Sequence, residues 1–295
     1  MSGVAILGSS GLLGSALASF FSQTDFDIIE INRSGKASVP GNQVLGFDVL
    51  HDSPQELIDK LRNVEWIINA TGVIKHKIVE ASEEAIVSAL KVNSIFPGQL
   101  EHFASIQKKR VITIGTDCVF KGTSGLKTES TSRDATDIYG ISKIYGELAM
   151  SRTMILRTSF IGVENGTKTE LLEWVRNFPE KSTIEGFENH FWNGVTVLQV
   201  GRVIHGIIKN NSFEAGIQHL VPGNAISKFG LINEIQKLFR PNPVPVIRIS
   251  TELTVDRVLA TDFTDANQRL WKDAGYPKPP SIEEMIREYA DWVGV

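Results

Sequence analysis

The stretch VAILGSSGLLGSAL, residues 4–17, decides the fold of this 295-residue chain. Four apolar residues typical of a buried strand are followed at once by Gly8, Gly11 and Gly14 and then by an apolar helical pattern. Glycine permits a tight turn at Gly8, close approach of a pyrophosphate near Gly11 and close helix-to-strand packing at Gly14. The pattern predicts a strand-turn-helix unit that binds a dinucleotide, and a tight turn with no ligand is the alternative. The residues assigned to the cofactor here are Gly8, Ser10, Gly11, Leu12, Leu13 and Gly14.

The order of strand and helix repeats along the first half of the chain. Strand-like apolar runs lie at 4–7, 27–31, 44–47, 66–70, 110–115 and 154–160. Helical patterns lie between them at 12–22, 53–62, 82–107 and 138–151. Because parallel strands need crossover helices, this alternation predicts an α/β fold with a doubly wound parallel sheet.

The second half of the chain is less regular. It has predicted loops at 162–168 and 185–194, and helical patterns near 196–209, 227–239 and 281–293. The last helix begins with Ser281 and has Glu284 three residues later, which indicates a capping box. We assign residues 1–160 to a cofactor-binding domain, to which segments of roughly 195–225 return, and 161–295 mainly to a smaller substrate-binding domain.

Composition excludes several classes of function. The net charge is -4 and the longest basic run is KKR at 108–110, so no nucleic acid partner is expected. Cys118 is the only cysteine and the six histidines lack ligand spacing, so neither an internal disulfide nor a structural metal is expected. No apolar run is long enough to span a bilayer, and the start is a poor signal peptide. We therefore expect a cytoplasmic protein with a small-molecule partner and no membrane partner.

The end of the second strand predicts which dinucleotide binds. An NAD-binding protein usually has a carboxylate there that holds the ribose 2′-hydroxyl. This chain has Asn32 followed by Arg33, whose planar fork of donors suits a 2′-phosphate. The sequence therefore favours NADPH, with NADH possible, and a solvated loop arginine is the alternative.

Two further strand ends are candidates for the same ligand. Asp48 and Val49 end the third strand, where they could contact adenine, and residues 69–72 end the fourth. Asp48 and Asn69 could equally be turn residues that accept local N–H groups. The candidates at these two positions are Asp48, Val49, Asn69, Ala70, Thr71 and Gly72.

The candidate chemistry lies in DIYGISKIYGE, residues 137–147. Tyr139 and Lys143 are four residues apart, so both side chains share one helix face. Carbonyl reduction needs a proton donor, because hydride delivery leaves an alkoxide, and a nearby ammonium eases proton release from a phenol. Thr116, after the strand at 110–115, can add a hydrogen bond to the same oxygen. Tyr139 and Lys143 are also assigned to the cofactor, because the lysine can hold the nicotinamide ribose hydroxyls. The alternative is a tyrosine packed beside a surface lysine.

Taken together, these motifs resemble the extended short-chain dehydrogenase/reductases, and among them the dTDP-4-dehydrorhamnose reductases and related sugar-nucleotide reductases. Weaker similarity extends to 190–204 and 282–286. The resemblance implies a Rossmann-type domain that carries NADPH, a triad of Thr116, Tyr139 and Lys143, and a C-terminal domain that binds a nucleotide sugar. The motifs that carry it are GSSGLLG (8–14), TDCVF (116–120), YGISK (139–143), GE (146–147) and LRTSFIG (156–162).

Two positions depart from the family pattern. Cys118 stands where the family usually has tyrosine, and residues 137–138 are Asp-Ile where the family tends to have proline. Related dehydratases have glutamate at the Cys118 position, so water elimination is disfavoured here. No basic residue is adjacent to Cys118 in the sequence, so a nucleophilic role is not expected.

Residues of both halves are candidates for substrate contact. Trp192 lies in a predicted loop at 189–196 that should face the cleft, and an aromatic ring there suits a sugar or a base. The alternative is a tryptophan that anchors the core of the small domain. Arg257 could bind a diphosphate or form a surface ion pair. The substrate candidates are Thr116, Asp117, Val119, Phe120, Trp192 and Arg257.

The function expected from the sequence is NADPH-dependent reduction of a nucleotide-linked 4-keto-6-deoxysugar, for surface polysaccharide precursors. One alternative is a sugar-nucleotide epimerase that retains NAD. Another is a non-catalytic role like that of the regulatory subunit of methionine adenosyltransferase, since a fold does not determine function. A monomer or a homodimer is expected, and the sugar and its nucleotide stay open.

Overall fold

The computed structural model of the chain describes residues 3–78, 82–147, 152–164 and 170–295. These residues form two compact units. The first unit comprises Met1–Phe120, Ser132–Arg157 and Ile207–Gln218. The second comprises Lys121–Thr131, Thr158–Gly206 and His219–Val295.

A seven-stranded sheet organises the first unit. Its strands are β1 (Gly3–Leu7), β2 (Asp27–Asn32), β3 (Gln43–Gly46), β4 (Val64–Asn69), β5 (Arg110–Ile114), β6 (Thr153–Arg157) and β11 (Gly216–His219). The spatial order is β11-β6-β5-β4-β1-β2-β3, and the pairs from β3 to β6 are parallel. Strand order reverses between β1 and β4, which is where such sheets bind their ligands. The doubly wound parallel sheet is thus confirmed.

Helices cover the sheet of the first unit. They are α1 (Leu12–Phe21), α2 (Pro54–Lys60), α3 (Glu83–Leu90), α4 (Phe96–Ile106) and α5 (Ile138–Glu147). A π-helical turn at Lys91–Ile95 separates α3 from α4, where the sequence predicts one helix over 82–107. Residues 148–151 of the helix predicted over 138–151 lie outside the described residues.

The core of the first unit forms where apolar strand positions meet apolar helix faces. All five residues of β1 are buried, as parallel strands covered on both faces require. Leu57 and Ile58 of α2 and Phe96 and Leu100 of α4 belong to one buried cluster with strand residues. Burial of these side chains provides the main stabilisation of this layer.

In its described residues, the second unit has short strands and four helices, and it shares a fifth helix with the first unit. Its strands are β7 (Phe160–Ile161), β8 (Ile184–Phe187), β9 (His190–Trp192), β10 (Val195–Thr196), β12 (Ile226–Ser227), β13 (Val246–Ile249) and β14 (Val255–Arg257). Its helices are α6 (Leu171–Arg176), α8 (Lys228–Phe239), α9 (Thr264–Asp273) and α10 (Ile282–Val293). The shared helix α7 (Val197–Asn210) crosses the division between the units. Of the described residues, no helix is long and apolar enough to cross a membrane.

Pairing between strands that are distant in the sequence explains why the structure differs from the loop predicted at 189–196. Residues 189–196 are predicted as a loop, but the structure forms β9 and β10 there, because β9 pairs with β12 and β14. The expected loop at 162–168 contains residues 165–168, which lie outside the described part of the chain. The capping box of α10 is confirmed, since Glu284 N–H donates to Ser281 Oγ and Ser281 N–H donates to Glu284 Oε2.

The unit boundaries differ from the predicted domain boundaries, and residues 158–160, predicted in the first domain, belong to the second unit. Residues 121–131 belong to the second unit because their main chain bonds there: Asp256 N–H donates to Gly122 O over 2.8 Å, and Ala260 N–H donates to Lys127 O over 2.9 Å. Of the range 195–225, only Ile207–Gln218 belongs to the first unit. β11 within it adds the seventh strand to the sheet.

Candidate active site

The glycine turn after β1 is tightly packed. Gly8 has a φ of +78°, and an added Cβ there would lie 2.9 Å from Ala70 O. At Gly14 an added Cβ would lie 2.1 Å from Gly8 O, so only glycine lets α1 approach the turn. Gly11 caps α1 without a side-chain hydrogen bond. The first N–H groups of α1 are therefore left for an anionic ligand.

The loop after β2 is bonded to the glycine turn. Asn32 Nδ2 donates to Ser9 Oγ over 2.8 Å and to Lys36 O over 2.9 Å. Ser38 Oγ donates to Ser9 O over 2.7 Å. Asn32 is buried, and its side-chain amide holds the loop together. It stands at the strand end where NAD-binding proteins usually have a carboxylate.

A buried carboxylate anchors the same loop. Glu30 accepts hydrogen bonds from Ser38 N–H over 2.7 Å, from Val39 N–H over 3.1 Å and from Asn42 Nδ2 over 3.0 Å. Burial by itself raises the pKa of Glu30, but these hydrogen bonds outweigh it and lower the pKa below its ordinary value. The ionised carboxylate thus holds residues 38–42 in place. The sequence analysis did not identify Glu30.

A groove of about 500 Å³ runs along the glycine turn and the ends of β2, β3 and β4. Ten of the predicted cofactor residues line it: Gly8, Ser10, Gly11, Asn32, Arg33, Asp48, Val49, Ala70, Thr71 and Gly72. Leu12, Leu13, Gly14 and Asn69 do not line it. Arg33 is exposed at this groove and makes no hydrogen bond or ion pair with a described residue.

Asp48 and Asn69 both make the local bonds that the sequence analysis gave as their alternative role. Asp48 Oδ1 accepts Leu50 N–H over 2.9 Å. Asn69 Oδ1 accepts from Thr71 N–H over 3.1 Å and from Thr71 Oγ1 over 2.6 Å. These bonds shape the groove wall, and a cofactor contact by either side chain stays a prediction.

The three triad candidates come from neighbouring elements of the first unit. Thr116 follows β5 and caps a 3-10 turn, Asp117–Val119, by accepting Cys118 N–H at Oγ1 over 3.1 Å. Tyr139 and Lys143 lie on α5, whose start is held by Asp137 Oδ1 accepting Gly140 N–H over 3.0 Å. Aspartate thus caps the helix where the family tends to have proline.

Burial dominates the electrostatics of Tyr139. It raises the pKa of the phenol above the ordinary value, and the ionisable thiol of Cys118 adds to this effect. Hydrogen bonding between the Thr116 and Tyr139 side chains acts in the opposite direction. From the sequence, Lys143 is expected to ease proton release from Tyr139, whereas burial makes the Tyr139 phenol hold its proton more tightly.

Lys143 borders the groove. A Cβ added at Gly72, which lines the groove, would lie 3.2 Å from Lys143 Nζ. Burial lowers the pKa of Lys143, while Glu147 and Cys118 raise it. Lys143 is thus close enough to Cys118 to interact with it, a basic neighbour that the linear sequence did not show. The Lys143 ammonium makes no hydrogen bond with a described residue, so its donors are available to a ligand.

Asn93 is a site residue that the sequence analysis missed. It lies in the π-helical turn, where its Nδ2 donates to Val73 O over 2.9 Å and to Ser142 Oγ over 3.0 Å. Its Oδ1 accepts Val73 N–H over 2.9 Å. Gly146 permits this contact, because an added Cβ would lie 2.0 Å from Asn93 O. The π turn, a feature often found at functional sites, thus joins α5 to the groove wall.

A buried ion pair lies at the end of α5. Arg157 donates to Glu147 through Nε over 3.2 Å and through Nη2 over 2.6 Å, and Arg133 Nη1 donates to Glu147 Oε2 over 3.2 Å. The Arg157 guanidinium also lies 5.3 Å from the centre of the Phe120 ring. The pair links the GE and LRTSF motifs, whose partnership the sequence analysis did not recognise.

Several substrate candidates are buried. Val119 is 0% exposed and its carbonyl accepts Asp134 N–H and Ala135 N–H, while Phe120 is 2% exposed. Asp117 is 5% exposed, and its Oδ1 accepts the Thr116 hydroxyl over 3.2 Å. Each of the three has a role inside the chain, and their contact with a substrate stays a prediction.

The structure brings Trp192 and Arg257 together in the second unit. They are register partners on the parallel strands β9 and β14, so their side chains leave the same face of that small sheet. Trp192 Nε1 donates to Ser159 Oγ over 2.9 Å. Arg257 packs against Gly122, where an added Cβ would lie 2.6 Å from Arg257 Nε. An aromatic ring and a guanidinium side by side suit a ligand with a ring and a phosphate.

The first-unit arrangement suits one kind of chemistry. The Tyr139 phenol and the Thr116 hydroxyl interact in the first unit, and the Lys143 ammonium, one turn further along the helix of Tyr139, borders the groove whose glycine turn presents N–H groups. Such groups can stabilise and protonate an oxygen that becomes negatively charged. Among the described residues, no group of three or more His, Cys, Asp or Glu side chains is arranged to hold a metal ion.

A scan against family models matched residues 1–292 to the model described as the RmlD substrate binding domain. No curated protein sequence matches the chain at the threshold applied. Because the matched range covers nearly the whole chain, the family applies to both units.

Solved structures resemble the chain over nearly its full length. The dTDP-4-dehydrorhamnose reductase from Bacillus anthracis str. Ames in complex with NADP has a TM-score of 0.76 at 20% identity, covering 100% of this chain and 99% of that one. A hypothetical dTDP-4-dehydrorhamnose reductase from Sulfolobus tokodaii has 0.71 at 23%, covering 90% and 93%. The UDP-glucuronic acid 4-epimerase from Bacillus cereus in complex with UDP-glucuronic acid and NAD has 0.73 at 14%, covering 98% and 99%. At these identities the likeness shows a shared fold.

Proposed function

The chain belongs to the family of the RmlD substrate binding domain, and on this premise we propose that it is an oxidoreductase acting on a sugar nucleotide. The proposed reaction is NADPH-dependent reduction of a nucleotide-linked 4-keto-6-deoxysugar, which would supply a precursor of surface polysaccharide. One observation carries the proposal: Thr116, Tyr139 and Lys143 are grouped in the first unit, with Lys143 at the groove that the glycine turn forms.

The residues of the groove fit a dinucleotide cofactor. Gly11 leaves the first N–H groups of α1 without a side-chain cap, so they can bind phosphate. Arg33 lies at the groove, and its guanidinium has no partner in the described part of the chain. The preceding residue, at the strand end, is Asn32, which carries no charge. This combination supports a 2′-phosphate and hence NADPH, with NADH as the weaker ligand. Bound NADPH would supply the hydride for the carbonyl carbon.

The chain supplies the groups that act on the carbonyl oxygen. We assign proton donation to the Tyr139 hydroxyl, which burial keeps protonated at neutral pH. Thr116, whose side chain interacts with that of Tyr139, would orient the carbonyl oxygen. The Lys143 ammonium would hold the ribose hydroxyls at Gly72 and stabilise the phenolate that proton transfer leaves.

Substrate contacts are assigned to both units. In the first unit they are Thr116 and Asp117, with Val119 and Phe120 supporting them from buried positions. In the second unit the pair of Trp192 and Arg257 is assigned to the nucleotide sugar, because it offers a stacking surface beside a cation. A substrate-binding role for the second unit follows from this assignment.

A panel of dTDP-, UDP- and GDP-linked 4-keto sugars tests the function. We expect NADPH oxidation with at least one 4-keto-6-deoxysugar nucleotide, and none with the Tyr139→Phe variant. Copurification of tightly bound NAD together with 4-epimerisation of a UDP-sugar would favour an epimerase instead. Copurification with a larger enzyme, without oxidation of NADPH by any sugar in the panel, would favour a regulatory subunit.

A further inference from the structure

Lys228 and His190 are brought together in the second unit. Strands β12 and β9 are antiparallel, with Ser227 opposite Phe191. The same register brings Lys228, the first residue of α8, to the position opposite His190, the first residue of β9. Opposite residues of antiparallel strands leave the sheet on the same face. Burial lowers the pKa of His190, and the positive charge of Lys228 lowers it further, as expected for neighbouring side chains.

The Lys228 ammonium has no counter-charge in the described part of the chain. Burial lowers its pKa, and no carboxylate of a described residue offsets that effect, whereas Glu147 offsets the same effect at Lys143. Lys228 makes no hydrogen bond or ion pair with a described residue. It also lies at the positive end of the α8 dipole, where a cation is unfavourable. Two basic groups held together without a counter-charge are typical of a site that binds an anion.

The two carboxylates closest to His190 along the strands do not supply the missing charge. Glu188 accepts the Ser250 hydroxyl over 2.8 Å and lies 3.6 Å from Arg248 Nε. Asp256 is one residue beyond the register partner of His190 on β14, so its side chain leaves the opposite face of the sheet. Both carboxylates therefore leave the face of His190 without a negative charge.

A ring stack and a hydrogen bond hold the His190 imidazole in place. It stacks on Phe187, with the ring centres 4.3 Å apart and the planes inclined by 18°. Its Nε2 lies 2.9 Å from Thr251 Oγ1, whose own proton is donated to Leu253 O over 2.7 Å. Thr251 Oγ1 therefore accepts from His190 Nε2–H, and Nδ1 carries the lone pair of the neutral ring. Protonation of Nδ1 turns that atom into a donor for an anion.

We propose that Lys228 and His190 form a binding site for a phosphate group in the second unit. The ammonium supplies the charge, and the first N–H groups of α8, those of Lys228 and Phe229, are positioned to donate to the same phosphate. Protonated Nδ1 of His190 adds a further donor, so binding takes up a proton. Donors from two elements suit the several oxygens of a phosphate better than the two of a carboxylate.

The phosphate has two possible sources. His190 and Trp192 leave the same face of β9, about 7 Å apart along the strand. The diphosphate of the nucleotide sugar is therefore one source, and this source alone rests on the proposed function. A free phosphorylated compound is the other. The chemistry that Lys228 and His190 recognise is the same for both.

Titration of His190 in the cofactor-free chain reports phosphate binding. Proton NMR follows its ring signal, which is identified by its loss in His190→Gln. Inorganic phosphate should raise the pKa of His190 by about 1 or more, since a nearby opposite charge favours the protonated ring. In Lys228→Gln the pKa should already be higher without phosphate, because the repulsion is lost, and phosphate should change it little.

Lys237→Gln is the matched control for Lys228→Gln. Lys237 lies on the same helix, but it is exposed and pairs with Glu234, so this variant should respond to phosphate as wild type does. A His190 pKa that phosphate does not change in wild type would overturn the proposal. An equal phosphate response in wild type and Lys228→Gln would overturn it as well.

Thermal unfolding gives a second measurement. Lys228→Gln removes a desolvated and unpaired charge, so in phosphate-free buffer it should melt at the wild-type temperature or higher. Phosphate at about ten times its dissociation constant should raise the melting temperature of wild type by about 2–4 °C and leave that of Lys228→Gln unchanged. If Lys228→Gln melts lower and phosphate stabilises both proteins equally, Lys228 is structural and the proposal is overturned.

UDP, inorganic phosphate and uridine distinguish the two sources. If UDP shifts His190 at an about tenfold lower concentration than phosphate does, and Trp192→Ala removes this advantage, the source is the nucleotide sugar. If UDP and phosphate act at equal concentrations and uridine has no effect, the source is a free phosphorylated compound. A shift with glucuronate but not with phosphate would overturn the assignment of a phosphate.

These readouts require no turnover. If phosphate binds at His190 but no sugar nucleotide is reduced, the proposed function fails and the phosphate site stands. If sugar nucleotides are reduced but phosphate leaves His190 unchanged, the phosphate site fails and the proposed function stands.

Discussion

Arg157 Nη2 lies 2.6 Å from Glu147 Oε2, and both side chains are nearly excluded from solvent, at 1% and 5% exposure. Glu147 is one helical turn beyond Lys143 on α5, and Arg157 ends β6. The pair therefore connects the helix that carries Tyr139 and Lys143 to the sheet on which it rests. A buried pair of this kind is sensitive to the loss of either partner, because the remaining charge has no solvent to stabilise it.

The first prediction concerns the stability contributed by this pair. Glu147→Gln leaves the buried Arg157 guanidinium without its counter-charge, and we expect the free energy of unfolding to fall by about 3–5 kcal/mol. The control is Glu65→Gln, since Glu65 is 45% exposed and 3.8 Å from Arg110. That control should change stability by less than about 0.5 kcal/mol. Urea unfolding measures both, and equal losses would contradict the prediction.

The second prediction concerns pH. Because the pKa of Glu30 is lowered in the folded chain, its carboxylate stabilises the fold above the pKa of an unfolded glutamate, about 4.3. This contribution is lost as the pH falls through the lower folded value. Stability measured by urea unfolding should therefore decline less steeply in Glu30→Gln than in wild type below that pH.

Asn42→Ala provides the graded comparison for Glu30. It removes one of the three hydrogen bonds to the carboxylate, so its pH dependence should lie between those of wild type and Glu30→Gln. A Glu30→Gln profile parallel to wild type over the acid range would show that Glu30 is not responsible.

The third prediction tests the proton donor. Tyr139→Phe should lower kcat by about 100-fold or more, the usual contribution of a positioned acid. Tyr145→Phe is the matched control, because Tyr145 lies on the same helix but is 57% exposed. Its kcat should equal that of wild type. Full turnover by Tyr139→Phe with its true substrate would rule out the assignment.

The raised pKa of Tyr139 can be observed directly. In the cofactor-free chain, the difference in tyrosinate absorbance between wild type and Tyr139→Phe should appear only above the ordinary tyrosine pKa of about 10. A difference in tyrosinate absorbance already present at neutral pH would show that the pKa of Tyr139 is not raised in solution.

The fourth prediction concerns cofactor choice. Arg33→Ala removes the exposed guanidinium at the groove, and we expect NADPH to bind about tenfold more weakly or worse, since hydrogen bonds to charged groups contribute about 1.5–3 kcal/mol. NADH affinity should not change. Arg62→Ala is the control, because Arg62 is exposed and does not line the groove. If NADPH and NADH both bind equally more weakly, the Arg33 charge acts on any dinucleotide and the prediction is contradicted.

Local patterns sufficed for much of the fold and part of the site. The apolar runs locate six strands of the first unit, and the spacing of Gly8, Gly11 and Gly14 locates the turn that lines the groove. The four-residue spacing puts Tyr139 and Lys143 on one helix face. These features depend on residues that are close together in the sequence, so the sequence alone is enough to predict them.

Contacts between distant segments were not predictable in this way. The loop anchored by Glu30, the π turn that carries Asn93, and the strands at 190–196 all depend on bonds across the fold. The basic neighbour of Cys118 was not predictable for the same reason. Lys143, which interacts with Cys118, lies on α5 and is 25 residues away in the sequence. The chemistry of a side chain does not show which distant residues will lie near it in the folded chain.

The amino-acid sequence by itself determined the alternation of strands and helices, the glycine turn and the tyrosine-lysine pair, because hydrophobic periodicity and backbone freedom act over one or two turns of chain. Only the tertiary structure decided that burial raises the Tyr139 pKa and that Arg157 neutralises Glu147. These properties arise from desolvation and from charges brought together by packing, and neither exists until the chain has folded.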